Sequence, residues 1–123
     1  MSPLTPPPAP LFVNYATIPP IPCPCGLAKR GFMDPSNRLI SVHETEILET
    51  AKTHYHKTLT ETYYFLEGAG QMELDGELRD VQPGMAVLIP PGVRHRAVVT
   101  PGGRMKILNI VIPPFDPADE WFD

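Results

Sequence analysis

The chain has 123 residues, 10 Lys plus Arg against 14 Asp plus Glu, a formal charge of −4 with its four histidines neutral, and 42% hydrophobic residues. A chain of this size buries roughly two-thirds of its unfolded surface, enough for one domain that needs neither disulfides nor oligomerisation to fold. The mildly acidic balance, without a basic block or arginine stripe, argues against nucleic acid or an anionic membrane as partner.

Ten of the 17 prolines lie at or before Pro35. Stretches 1–10 and 18–24 cannot run as helix, because the ring removes an amide donor and pushes the preceding residue to an extended conformation. Residues 1–38 therefore read as an extended proline-rich arm that packs on the rest of the chain or on a partner subunit. The opening has neither a basic n-region nor an apolar h-region, and no apolar run nears the roughly 18 residues of a spanning helix. A soluble, cytoplasmic protein is the expectation. Cys23 and Cys25 flank one proline, too close for an easy disulfide and too few for a structural zinc site, so they read as reduced thiols outside the site. The arm also carries Arg30, Phe32 and Met33, whose place relative to the following strands the sequence does not set.

From about Leu39 the pattern has a period near two, in short β-branched and aromatic runs punctuated by glycine turns. The runs are Leu39 to Leu48, Thr53 to Lys57, Glu61 to Leu66, Gly70 to Leu74, Leu78 to Val81, Ala86 to Ile89, His95 to Val99 and Arg104 to Ile112. Eight short strands suffice for a small all-β barrel over residues 39–112. Asp75-Gly76 is the strongest hairpin signal, because a two-residue type I′ turn needs positive φ twice. The tail, residues 113–123, is too aromatic for a free terminus and too proline-rich for a strand, so it is expected to dock on the barrel or a neighbour. Both ends then cover sheet edges or exchange between subunits, and a homodimer is expected.

The chemistry begins with histidine placement. His54 and His56 are one residue apart, so in a strand they project from one face with Cα atoms about 7 Å apart, a spacing at which two imidazoles can tilt onto one ion. Glu61 follows after a four-residue turn and can return beside them. His95 opens a later strand and can supply a third imidazole from across a barrel lumen. On the His-x-His pattern alone, an exposed strand with solvated imidazoles is an equally good reading.

The spacing extends further. His54-x-His56, four residues, Glu61, six residues and Gly68 are followed by Gly84, five residues, Pro90-x-Gly92, two residues and His95. In this order the two motifs resemble those of the cupin superfamily, over roughly residues 40 to 112. The chain departs from the family pattern at Leu48, where the first motif opens with glycine, and at Val99, where the second ends with asparagine. The resemblance implies a single-domain monocupin: a double-stranded β-helix, or jelly-roll barrel, of two antiparallel sheets. It also implies one divalent transition metal (Fe, Mn, Ni, Co, Cu or Zn) on His54, His56, Glu61 and His95, with positions left for water, a small-molecule substrate or dioxygen.

Tyr63 and Phe65 share the strand parity of Glu61 and should point inward, which makes Tyr63 the candidate catalytic residue, with core packing as the competing reading. His43 stands alone and reads as a surface or satisfied core histidine. Arg94 and Arg96 flank His95 and by alternation should face away from it as surface charges. Two functional readings follow. One is a metal-dependent enzyme acting on a small organic molecule, dioxygenase-like or isomerase- or lyase-like; the other is a non-catalytic small-molecule or metal-binding or sensing module.

Overall fold

The computed structural model describes residues 6–123 and is nearly all β. Nine strands form: β1 (Ile21–Cys23), β2 (Gly26–Gly31), β3 (Ser41–Ile47), β4 (Thr60–Gly68), β5 (Gly70–Leu74), β6 (Glu77–Val81), β7 (Ala86–Ile89), β8 (His95–Val98) and β9 (Met105–Ile112). They make a six-stranded sheet in the order β1-β2-β3-β9-β4-β7 and a three-stranded sheet in the order β6-β5-β8, with every neighbouring pair antiparallel. The only helical turns among the described residues are of 3-10 type, Tyr15–Thr17 and Pro117–Asp119. No helix among them is long and apolar enough to cross a membrane.

The alternation of the sequence becomes the alternation of the sheets. In β3 every second residue from Ser41 is buried, and in β4 Glu61, Tyr63 and Phe65 are buried while Tyr64 between them is exposed. The two inner faces meet in an apolar core that includes Ile47, Phe65, Met72, Ile89, Met105 and Ile107. At about 25 cal/mol per Å² of apolar surface, this burial is the main favourable term holding the sheets face to face. Asp75 and Gly76 both take positive φ, 48° and 84°, and set the β5–β6 register as the turn chemistry requires. Gly68 ends β4 at φ 78°, where an added Cβ would lie 2.1 Å from the Arg104 carbonyl oxygen, so only glycine allows β4 and β9 to close there.

The structure differs from the sequence reading at two elements. The expected extended arm contains a hairpin, β1–β2, which adds to the large sheet beside β3. Gly26 to Gly31 carries no proline, and Pro22 lies in the edge strand β1, where a missing amide donor is tolerated. Conversely, the expected strand Thr53 to Lys57 is reduced to single bridges at His54 and Tyr55, paired with His95 and Trp121. The amides of residues 57–59 turn to the Asp119 carboxylate instead of a neighbouring strand, so no ladder continues.

Candidate metal centre

Two of the three relevant histidines are positioned by the backbone itself. His54 and His95 exchange both backbone hydrogen bonds, at 3.1 and 2.8 Å, which sets them directly opposite each other with ring centroids 4.4 Å apart. His56 lies two residues on, its ring 5.3 Å from each of the other two. Glu61 comes from the opposite sheet, near the start of β4, and points inward between Ile89 and Val111 in register. His56, Glu61 and His95 are buried and His54 is half-buried. One ligand atom from each of the four residues lies within 4.8 Å of the others.

The proton positions follow from the partners of each ring. Nδ1 of His54 lies 3.0 Å from the Lys52 carbonyl, Nδ1 of His56 is 2.6 Å from the Asp119 carbonyl, and Nδ1 of His95 is 2.8 Å from the Val93 carbonyl. A carbonyl only accepts, so every Nδ1 carries a hydrogen and every neutral ring offers Nε2 as a lone pair. Those of His56 and His95 face Glu61 Oε1 at 2.7 and 3.1 Å. His56 Nε2 is thus buried with an oxygen beside it yet has no hydrogen-bond partner, because both atoms are acceptors. Four acceptors converging with no donor among them fit a cation, and outward anchoring of each imidazole is how metal-bound histidines are oriented.

The charges favour the same arrangement. Burial disfavours ionisation of Glu61, but without an ion the rings of His56 and His95 can take up protons on Nε2, and the bonds and charges they then supply outweigh burial and hold the carboxyl below the usual range. For His56, burial favours the neutral ring, but the protonated ring would donate to Glu61 and this overrides burial, raising its pKa; burial and the charge of His95 lower that of His54.

Residues outside the motifs complete the centre. Asn109 on β9 donates from Nδ2 to Glu61 Oε2 at 2.6 Å and so fixes which oxygen faces the histidines. Asp119 in the tail accepts the His56 hydrogen on its backbone, while its carboxylate takes the amides of Lys57, Thr58 and Leu59 at 2.9 Å each and the Trp121 indole at 2.9 Å. Burial works to raise its pKa, but the amides and the indole hold it down to about 2. The tail therefore clamps the loop that separates His56 from Glu61. Glu120 reaches within 3.9 Å of His54 Nε2.

A cavity of about 310 Å³ opens beside the centre, lined by His54, His56 and Glu61 together with Tyr63, His43 and Asn109. A larger cavity of about 460 Å³ between residues 32–38 and the tail contains none of the four converging residues, so the chemistry and not the size locates the site. Tyr63 faces the lumen, its ring 6.3 Å from that of His95, and burial followed by the charge of Glu61 raises its phenol well above 10. His43 is a buried lumen residue, bonded at Nε2 to Ser41 Oγ at 2.8 Å, with burial and Arg30 lowering its pKa to about 4.

Two sequence expectations about surrounding residues change, those for the cysteine pair and Arg96, and the one for Arg94 holds. Cys23 and Cys25 are free thiols, 3.5 Å apart, but they line the lumen. Arg94 is the exposed charge expected, paired with Asp123 at 2.8 Å and stacked on Tyr55. Arg96 is not simply a surface charge: it pairs with Glu73 at 3.2 Å, lines the cavity and buries its Nε without a partner. Its long stem lets a side chain that starts outward return over the short sheet edge.

A family model described as the cupin domain matches residues 43–111. An uncharacterized protein of Methanocaldococcus jannaschii is 39% identical over 66 residues, 54% of this chain and 53% of that protein, so the chain spans about half the length of the curated relative it matches. Among solved structures, a protein from Planctomyces limnophilus is 43% identical with a TM-score of 0.85, over 93% of this chain and 97% of that one. A Streptomyces nucleoside dehydratase has a TM-score of 0.73 at 16% identity, covering 92% and 90% of the two chains. A polyketide cyclase from Streptomyces resistomycificus has 0.69 at 22%, covering 90% and 89%. At those last identities the likeness is one of fold.

Proposed function

The chain belongs to the cupin family, and from that premise we propose that it is a metal-dependent enzyme acting on a small organic molecule in the lumen between its sheets. The observation that carries this reading is the convergence of three outward-anchored imidazoles and one carboxylate as acceptors alone. Nε2 of His54, His56 and His95 and Oε1 of Glu61 would hold one divalent ion, and this nitrogen-rich set suits Fe, Mn, Ni, Co, Cu or Zn better than Ca or Mg. Bound there, such an ion supplies Lewis acidity toward an oxygen of the substrate, or a place for dioxygen.

The chain's own residues do the rest. Asn109 holds Glu61 to one orientation, and Asp119 does the same for His56. Tyr63, its phenol kept protonated by burial and by Glu61, is a hydrogen-bond donor to a substrate oxygen in the lumen, where charge develops during proton transfer. That favours proton-transfer chemistry of the isomerase or lyase kind over oxygenation. A homodimer belongs to the same reading, supported by the exposed Tyr64, Leu88 and Ile112 on the large sheet.

The test is elemental analysis of protein purified without added metal, then a screen of catechols, β-diketones, thiols and keto acids for turnover and oxygen uptake. Turnover without oxygen uptake, lost in His56→Ala and retained in Cys23→Ser, is the expected result. A ligand that raises thermal stability only in the metal-loaded protein, with no turnover of any compound, would favour the non-catalytic module instead.

A further inference from the structure

The register of the large sheet places one polar row on its inner face. Arg30 on β2 pairs with His43 on β3, His43 with Asn109 on β9, and Asn109 with Tyr63 on β4. Directly paired residues of antiparallel strands point to the same side, so all four side chains face the lumen. This row lies two residues along the strands from the row that carries Glu61.

Arg30 is the unusual member. Arg79, Arg94, Arg96 and Arg104 each pair with a carboxylate and Arg38 is exposed to solvent, whereas Arg30 is half-buried and, among the described residues, has no carboxylate within 4.0 Å. Its guanidinium is seated over the Phe115 ring, 4.3 Å from the centroid, and the Phe115 amide is tied to Ser41 Oγ at 2.9 Å. A half-buried cation fixed on an aromatic face, without a counter-ion and on the same lumen wall as a divalent-cation site, is poorly compensated. His43 adds no negative charge. Its Nε2 is tied to Ser41 Oγ, which also accepts the Phe115 amide, so the hydroxyl links the ring to the tail that carries the Arg30 platform.

We propose that Arg30 recognises an anionic group, a carboxylate, on the small molecule taken by the metal centre, so that the substrate class is a small organic acid. The planar fork of arginine matches a carboxylate with two parallel hydrogen bonds. Arg30 and Tyr63 are three strand spacings apart, about 14 Å along the sheet, and both line the one cavity beside the centre. A cavity of about 310 Å³ that Arg30 shares with His54, His56 and Glu61 has room for a small acid held at one end by the guanidinium and at the other by the centre. This inference rests on the reading of the four-residue cluster as a metal site.

The test uses zinc-loaded full-length protein and two probes that share a metal-binding end: the monohydroxamate of succinic acid, with a carboxylate tail, and its primary amide, with a neutral tail of the same shape. Isothermal titration should show the carboxylate probe binding about tenfold to a hundredfold tighter, as a charge-assisted pair implies. Arg30→Gln should erase that ratio while leaving zinc content and the affinity of the amide probe unchanged, and Arg30→Lys should restore part of it. Equal affinities in the wild type, or a ratio that survives Arg30→Gln, would overturn the proposal with the metal reading intact. Failure of the wild-type protein to retain zinc in elemental analysis would overturn the metal reading, and the proposal with it.

Discussion

Each histidine of the centre has one nitrogen already committed to a backbone carbonyl, which leaves the other three nitrogens and Glu61 Oε1 as a preset group of acceptors. Asn109 sits behind this group. Asn109→Leu removes the bond to Glu61 Oε2 and should weaken metal affinity about 10–100-fold, measured by competition with a chromogenic chelator, while the circular dichroism spectrum stays unchanged. Protons compete for the same nitrogens. Burial works against protonation of His56 but Glu61 outweighs it and raises its pKa, so the ring binds a proton more readily than a free imidazole; metal affinity should fall as pH drops through the histidine range, and a pH-independent affinity from 8 to 5 would contradict the ligand assignment. The convergence of the four residues was legible in the sequence because spacing within two short motifs reports it. Asn109 was not: the family pattern pointed to position 99, a valine here, and only the register of β9 beside β4 brings residue 109 to Glu61.

Among the elements, the tail does more than cover a sheet edge. Asp119 satisfies three successive amides in the loop before β4 and anchors His56, so it holds both halves of the His-x-His and Glu spacing together. Asp119→Ala should cost about 1–3 kcal/mol in chemical denaturation, since three amides lose a charged acceptor. The sign of the pH dependence is set by a folded-state pKa depressed from 3.8 to about 2. The stabilisation is present above 3.8 and lost as pH falls through about 2, so the gap between wild type and Asp119→Asn should narrow over that interval. Aromatic content signalled that the tail docks, but a single aspartate among prolines gave no sign of what it holds. Proline density likewise hid the β1–β2 hairpin, although the stretch between Gly26 and Gly31 is free of proline. The opposite error arose at Thr53 to Lys57, where alternation alone suggested a strand and no neighbour completes one.

For the molecule as a whole, the sequence revealed the class of fold through alternation and turn residues, but not the order of strands. β9 is inserted between β3 and β4, and its pairing with β4 spans from 37 residues (Gly68 with Met105) to 52 (Thr60 with Ile112), which no local pattern reports. The outer face of the large sheet leaves Leu88 63% and Ile112 52% exposed, on β7 and β9 to either side of β4. Sedimentation should find a dimer, and Leu88→Lys should shift it toward monomer with the metal retained; a wild-type monomer at micromolar concentration would contradict this. The centre itself depends on the whole barrel, since His54, His56 and His95 stand on one side of the lumen and Glu61 on the other sheet. The most direct test is an anomalous difference map from crystals of manganese- or zinc-loaded protein, collected across the absorption edge of the metal. One peak is predicted within bonding distance, about 2.0–2.3 Å, of Nε2 of all three histidines and of Glu61 Oε1. A map with no peak there, or with its peak at Cys23 and Cys25 instead, would contradict the account.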